Sequence, residues 1–300
     1  MKIVYSDKYE ADFGPHVFAT EKYRLLKERL LKENLATEAD FINPEPANVK
    51  DVLLVHTKSY VDDMVNLRWS QRTVRSELPL TQEIIHAYLL HTQGTILTCQ
   101  QAIQDVISVH LGGGFHHAFA DHGEGFCYIN DVAVGIKKMQ ALSLISQAAV
   151  IDCDLHQGNG TAKIFQGDAS VFTFSIHQEH LYPIKEESDW DIGLDDGAGD
   201  KEYLQILEPA VDKILTEQKP ELVVYLAGAD PFQLDQLGQL RLTKQGLKQR
   251  DQIVIQACQQ KKIPVAVTLA GGYAYEVKDT VDIHFNTCQV CLAVNKTTNQ

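Results

Sequence analysis

Four short apolar runs, Ile107–His110, Ala148–Asp152, Leu222–Leu226 and Pro264–Leu269, each give way to a segment of glycine mixed with polar residues. Continuous apolar runs rich in β-branched residues suit strands covered on both faces, as in parallel sheets. Two more runs, Lys2–Tyr5 and Val171–Ile176, have the same character. Stripes at helical spacing lie between them: Ile85, Leu89, Ile96 and Ile103, then Leu204, Leu207, Val211 and Leu215. A third helix is expected after Thr243 as its cap, with Leu247, Val254 and Cys258 on its inner face. This alternation predicts an α/β fold, a mainly parallel sheet with helices on both faces, in one domain over residues 1–300. The acidic, glycine-containing stretch Tyr182–Asp200 has little periodicity and reads as a long loop.

Charge and cysteine usage narrow the function. A net charge of -13 argues against a nucleic-acid partner, which needs clustered Lys and Arg. It is compatible with a cationic substrate, although acidity by itself speaks first to solubility. The start lacks the apolar core of a signal peptide, and no run approaches the roughly 20 apolar residues of a membrane span. A cytoplasmic location without membrane attachment is therefore expected. The six cysteines form no disulfide-like framework. Cys288 and Cys291 make a lone C-x-x-C in an apolar run to Val294, expected to be buried thiols on a terminal helix. Asn295-Lys296-Thr297 matches a glycosylation sequon, which carries no weight in a chain that is not secreted.

Ligands of open parallel sheets sit outside the carboxyl ends of the strands. There this chain places Gly112-Gly113-Gly114-Phe115-His116-His117, then Asp154-Leu155-His156-Gln157-Gly158-Asn159-Gly160, then Gly228-Ala229-Asp230, and finally Gly271-Gly272-Tyr273. Each has a plainer reading alone. With 12 histidines, about half a tandem pair is expected by chance. A lone Asp after a strand is commonly a helix cap, and Gly-Gly-Tyr commonly a turn. Convergence on equivalent strand ends favours chemistry. Two carboxylates and one imidazole make an open three-ligand metal site. Paired histidines can move protons, and a tyrosine hydroxyl can steady an oxyanion.

These segments, together with Gly125-Phe126-Cys127-Tyr128-Ile129-Asn130-Asp131, resemble in kind and order the zinc-dependent histone deacetylases and acetylpolyamine amidohydrolases. The resemblance runs from the first strand to about Val294, looks closest to the class IV branch and its bacterial relatives, and implies the arginase–deacetylase fold. It implies one Zn²⁺ on Asp154, His156 and Asp230, with His116 and His117 flanking the water and Tyr273 donating to the substrate carbonyl. Asp152 would support His116 and Asn159 would support His117, a position that is Asp in class I members. Phe126 and Gly125 would line the acyl-lysine channel, with Tyr182 at its rim and His16 and Phe18 in a short channel segment. That segment, Pro15-His16-Val17-Phe18 followed by Glu21-Lys22-Tyr23, has Val17 where relatives often have proline. An inner K⁺ would use Asp152, Asp154, His156, Ser175 and Ile176, and an outer one Phe165, Asp168 and Val171. Glu77 is a candidate for the acid that holds the substrate backbone.

The expected activity is hydrolysis of an N-acyl-lysine in a protein or peptide, or of an acylpolyamine, with acyl groups longer than acetyl accepted. Two alternatives stay open: an arginase-like ureohydrolase with two metals, and an inactive acyl-lysine-binding relative. Oligomeric state is left open by the sequence.

Overall fold

The computed structural model describes residues 1–298. Its strands are β1 (Ile3–Val4), β2 (Phe41–Ile42), β3 (Ile107–His110), β4 (Ala148–Asp152), β5 (Val171–Gln178), β6 (Trp190–Leu194), β7 (Leu222–Leu226) and β8 (Val265–Thr268). Its α-helices are α1 (Lys22–Lys32), α2 (Val49–Val52), α3 (Lys58–Val65), α4 (Gln82–Asp105), α5 (Asp131–Ala141), α6 (Asn159–Phe165), α7 (Asp200–Glu217), α8 (Lys244–Gln260) and α9 (Val277–Thr298). The eight strands form one sheet in the order β2-β1-β3-β8-β7-β4-β5-β6, and every pairing is parallel. β3, β4, β7 and β8 are buried throughout, which explains their unbroken apolar composition.

The helices make two groups. α4 packs on β3 and α5, while α9 packs on β3, α1 and α8, with α7 beside α8. Both α4 and α9 pack on β3. The α4 stripe runs as expected, with Ile85 and Ile96 buried and Leu89 and Ile103 packed against the core. The Thr243 side chain caps α8 by accepting from the Gly246 amide at 3.0 Å. All six cysteines are buried, including Cys288 and Cys291 on α9. Among the described residues, no helix is long and apolar enough to cross a membrane. The side chain of Asn295 lies outside the described residues.

The stretch Tyr182–Asp200 is not wholly loop: β6 occupies its centre and pairs with β5 at the sheet edge. Trp190 packs on Phe174 at 5.6 Å between centroids, and Leu194 is buried, while Asp191 and Gly193 face outward. An edge strand has little to bury, so its short alternation was hidden among the acidic residues around it. β2, at two residues, is too short to leave a pattern.

The decisive consequence of this topology is adjacency. β3, β8, β7 and β4 are consecutive in the sheet, so the segments that follow them meet at one edge.

Candidate functional site

Beyond β4, the chain turns through Asp154 and His156 before entering α6. Beyond β7 it reaches Asp230. These three buried residues bring one donor atom each to within 4.8 Å of one another, and they are the one such group found among the described residues. Backbone amides hold the carboxylates in place. Gly271 donates to Asp154 Oδ2 at 2.9 Å, His156 to Asp154 Oδ1 at 3.0 Å, and Leu155 to Asp230 Oδ1 at 3.0 Å. Asp230 Oδ2 is buried with no hydrogen-bond partner, and His156 Nδ1 lies 3.4 Å from it. Burial and the neighbouring Asp154 charge raise the Asp230 carboxyl to about 6. Burial also opposes an imidazolium at His156, but Asp154 and Asp230 outweigh it and lift its pKa to about 10. Two desolvated carboxylates beside one imidazole, with one Asp230 oxygen orphaned, favour a positive charge at this point, an imidazolium or a bound cation.

The histidine pair follows β3. His116 Nδ1 bonds Asp152 Oδ2 at 2.7 Å, and His117 Nδ1 bonds Asn159 Oδ1 at 2.8 Å. Their Nε2 atoms converge at 3.1 Å. Burial disfavours a charged His116, yet Asp152 and Asp154 override it and hold the pKa at about 9. His117 goes the other way: burial, then the His116 and His156 charges, push its pKa well below the ordinary value. Two lone pairs would repel at such a separation, so at least one of the two Nε2 atoms carries a hydrogen. Neighbouring groups with pKa values driven apart are the mark of divided acid–base work.

Tyr273 follows β8 and is partly exposed. Its ring meets Phe18 at 5.8 Å and Phe126 at 6.0 Å, both edge-on. Burial and then Asp230 keep its phenol well above its ordinary pKa, hence a neutral donor. The turn before it is pinned by Lys22, which is 2% exposed and donates to the Ala270 carbonyl at 3.2 Å. Burial lowers the Lys22 pKa to about 8, with Asp230, Asp154 and Asp235 opposing the shift.

A cavity of about 190 Å³ opens onto these groups, walled by Phe18, Phe126, Leu181, Tyr182, Leu237 and Tyr273, with Glu77 also at its lining. Phe126 adopts φ +62 after Gly125 at φ +50, a left-handed step held by the Phe126 amide donating to Ser76 at 2.9 Å and by Tyr88 bonding its carbonyl. Gly125 has no room for a side chain, since a Cβ there would sit 2.5 Å from Tyr182 Oη. His16 does not line this cavity. It stands edge-on to Phe126 at 4.6 Å, with Nδ1 accepting from the Phe18 amide at 3.1 Å.

The proposed cation residues are placed as follows. Ser175 is paired in register with Asp152, and its Oγ lies 2.9 Å from His177 Nδ1, with Ile176 next on β5. The Phe165 carbonyl accepts from Asp168 at 2.8 Å and the Asp168 carbonyl from Val171 at 3.1 Å, while Lys137 pairs with the Asp168 carboxylate. Sequence reasoning passed over Glu124, which bonds Asn159, and Leu181 and Leu237 in the wall. Only the flanking glycines of Glu124 hinted at a tight turn beside the site.

Comparison with known proteins agrees with this geometry. The family model described as histone deacetylase domain matches residues 16–288. An uncharacterized protein of Picosynechococcus is 38% identical over 271 residues, covering 90% of each chain. Histone deacetylase 2 of Arabidopsis thaliana is 28% identical over 288 residues, covering 91% of this chain and 74% of its own. The solved structure of an HDAC homolog from Aquifex aeolicus superposes with a TM-score of 0.82 at 23% identity, over 97% of this chain and 83% of that one. A buried Asp–His–Asp group, a histidine pair and a tyrosine at adjacent strand ends, within a domain matched almost end to end, place this chain in the histone deacetylase family of hydrolases.

Proposed function

We propose that this chain is a zinc-dependent deacylase that cleaves the amide of an N-acyl-lysine or an acylpolyamine. The observation that carries this reading is the orphaned Asp230 Oδ2, buried beside Asp154 and His156 at the foot of an aromatic-walled cavity. Two carboxylates and one imidazole fit Zn²⁺ with coordination positions left over for water and substrate. When bound, the ion acidifies water and polarises the scissile carbonyl.

The chain's own groups supply the rest. Asp152 and Asn159 hold the two imidazoles through Nδ1, leaving their Nε2 atoms to face the reacting centre. His117, kept neutral by burial, takes the proton of the attacking water at Nε2. The Tyr273 hydroxyl donates to the carbonyl oxygen as negative charge gathers there. The C–N bond then breaks, and the amine leaves with a proton delivered by the histidine pair, giving a carboxylic acid and a free amine. Phe18, Phe126 and Tyr182 exclude water around the alkyl stem of the substrate.

Support for one metal rather than the two of a ureohydrolase comes from Asn159, a neutral residue where further carboxylates would be needed. An inner K⁺ at Asp152 and Ser175 would offset the carboxylates around Zn²⁺. Dialysis against a chelator, followed by titration of Zn²⁺ into an acyl-lysine peptide assay, tests the proposal. Activity should vanish and return at one Zn²⁺ per chain. Full turnover by metal-free protein would refute it.

A further inference from the structure

An asparagine is an ambiguous partner for a histidine. Rotated half a turn, its side chain offers either a carbonyl or an amino group at nearly the same place. If Asn159 offered its amino group to His117, Nδ1 would have to accept and the ring proton would move to Nε2. His117 could then no longer take a proton from water. Asp at this position would avoid the ambiguity, but this chain has Asn.

The structure contains a device that removes it. Asn159 Nδ2 lies 2.8 Å from Glu124 Oε1. A carboxylate can only accept, so the amino group of Asn159 must face Glu124 and its carbonyl must face His117 Nδ1, 2.8 Å away. Nδ1 therefore carries the hydrogen and Nε2 the lone pair. Glu124 is itself held. It is 8% exposed, its second oxygen pairs with Arg75, and His122 Nε2 is 3.5 Å from the same oxygen. Its backbone exchanges hydrogen bonds with Cys127 at 3.0 and 2.8 Å. Burial opposes charge on Glu124, but His122, Asn159 and Arg75 outweigh it and keep the carboxyl below its usual range.

We infer that Glu124 is a positioning residue that sets the reactive tautomer of His117 through the side chain of Asn159. The chain Arg75–Glu124–Asn159–His117 relocates a carboxylate one residue outward from the histidine and orients the base without placing a formal charge against it. The inference deepens the proposed function, since it rests on His117 as the base.

The test compares wild type with Glu124→Ala, Asn159→Ala, the double variant and Glu124→Gln, all loaded with Zn²⁺. Outer-shell partners of this kind usually account for about 10–100-fold in activity. Glu124→Ala should lower kcat by about ten-fold with KM unchanged. It should cost nothing further in the Asn159→Ala background. Glu124→Gln can bond the amide in either orientation, so it should fold like wild type and fall between the two. Nitrogen-15 shifts of labelled histidine should show His117 as the Nδ1–H tautomer in wild type and as a mixture in Glu124→Ala.

Additive losses in the double variant, a rise in KM alone, or an unchanged tautomer in folded Glu124→Ala would overturn the inference. If Glu124→Ala does not fold, an unchanged kcat and tautomer in Glu124→Gln would do so. An inactive wild type would instead remove the deacylase reading, and the histidine shifts would still decide whether Glu124 sets the tautomer.

Discussion

The foot and the rim of the cavity are built in opposite ways. At the foot, His116, His117, Asp154, His156 and Asp230 are all buried and are tied by backbone amides or by buried partners. They arrive on segments that follow consecutive strands, so the sheet sets their spacing. The rim is assembled from loops far apart in sequence: Glu77 at φ +62, Tyr182 at 42% exposure and Leu237, with Ile184 nearby in sequence at 89% exposure. The spacing of the foot is set by the strands that carry it, whereas the rim hangs on separate loops. On the proposed function, reaction type would rest with the first region and substrate choice with the second.

The sharpest break would come at the foot. Asp230→Asn keeps an oxygen for the Leu155 amide but removes the charge, so Zn²⁺ should be lost and activity should fall to background. Elemental analysis beside circular dichroism checks that only the metal has gone. Tyr273→Phe comes next, and should lower kcat by about 10²–10³-fold while substrate binding persists, the scale for one oxyanion donor. Binding of a non-hydrolysable acyl-lysine analogue separates the two effects.

A smaller change tests charge within the foot. Asn159→Asp alone would press a carboxylate against Glu124, so the informative protein is Asn159→Asp with Glu124→Gln. That pair preserves the hydrogen-bond polarity but puts a negative charge beside His117. The charged imidazole is favoured, its pKa rises, and the acid limb of kcat/KM should move to higher pH by about one unit. A pH–rate profile with zinc content checked at both ends measures it.

The rim should respond more mildly. Tyr182→Ala should raise KM by roughly three- to ten-fold and leave kcat nearly unchanged, as expected when binding is lost equally from ground and transition states. The smallest effect concerns acyl length. The cavity lining includes the small residues Gly113, Gly114, Ala270 and Gly271. Each added methylene should gain at most ~0.8 kcal/mol, read as kcat/KM across acetyl, butyryl and longer peptides. A steady decline with length would show a foot sized for acetyl.

The same contrast explains what could be read from the sequence. Four site segments were visible because parallel strands buried on both faces announce themselves as apolar runs, and their glycines and polar residues lie immediately after. β6 was hidden because an edge strand with exposed Asp191 and Gly193 looks like its acidic surroundings. Leu181 and Leu237 could not be found, since their shared wall exists only once separate loops meet. Glu124 lay in plain view beside the Gly125-Phe126 motif. Its partner Asn159 is 35 residues away, and nothing in either segment announces the pairing. Of the two residues expected in the short channel segment, Phe18 lines the cavity and His16 packs edge-on to Phe126.

The last strand in sequence among the described residues, β8, sits between β3 and β7 rather than at an edge. During synthesis, β1 through β7 must all be delivered before this slot can be filled. Until then the growing chain would carry two unpaired strand edges, a template for sticking to other chains. Asp154, His156 and Asp230 would already have emerged, but Gly271, whose amide fixes Asp154, would not. The three-residue group is therefore not fully held until β8 has taken its place in the sheet.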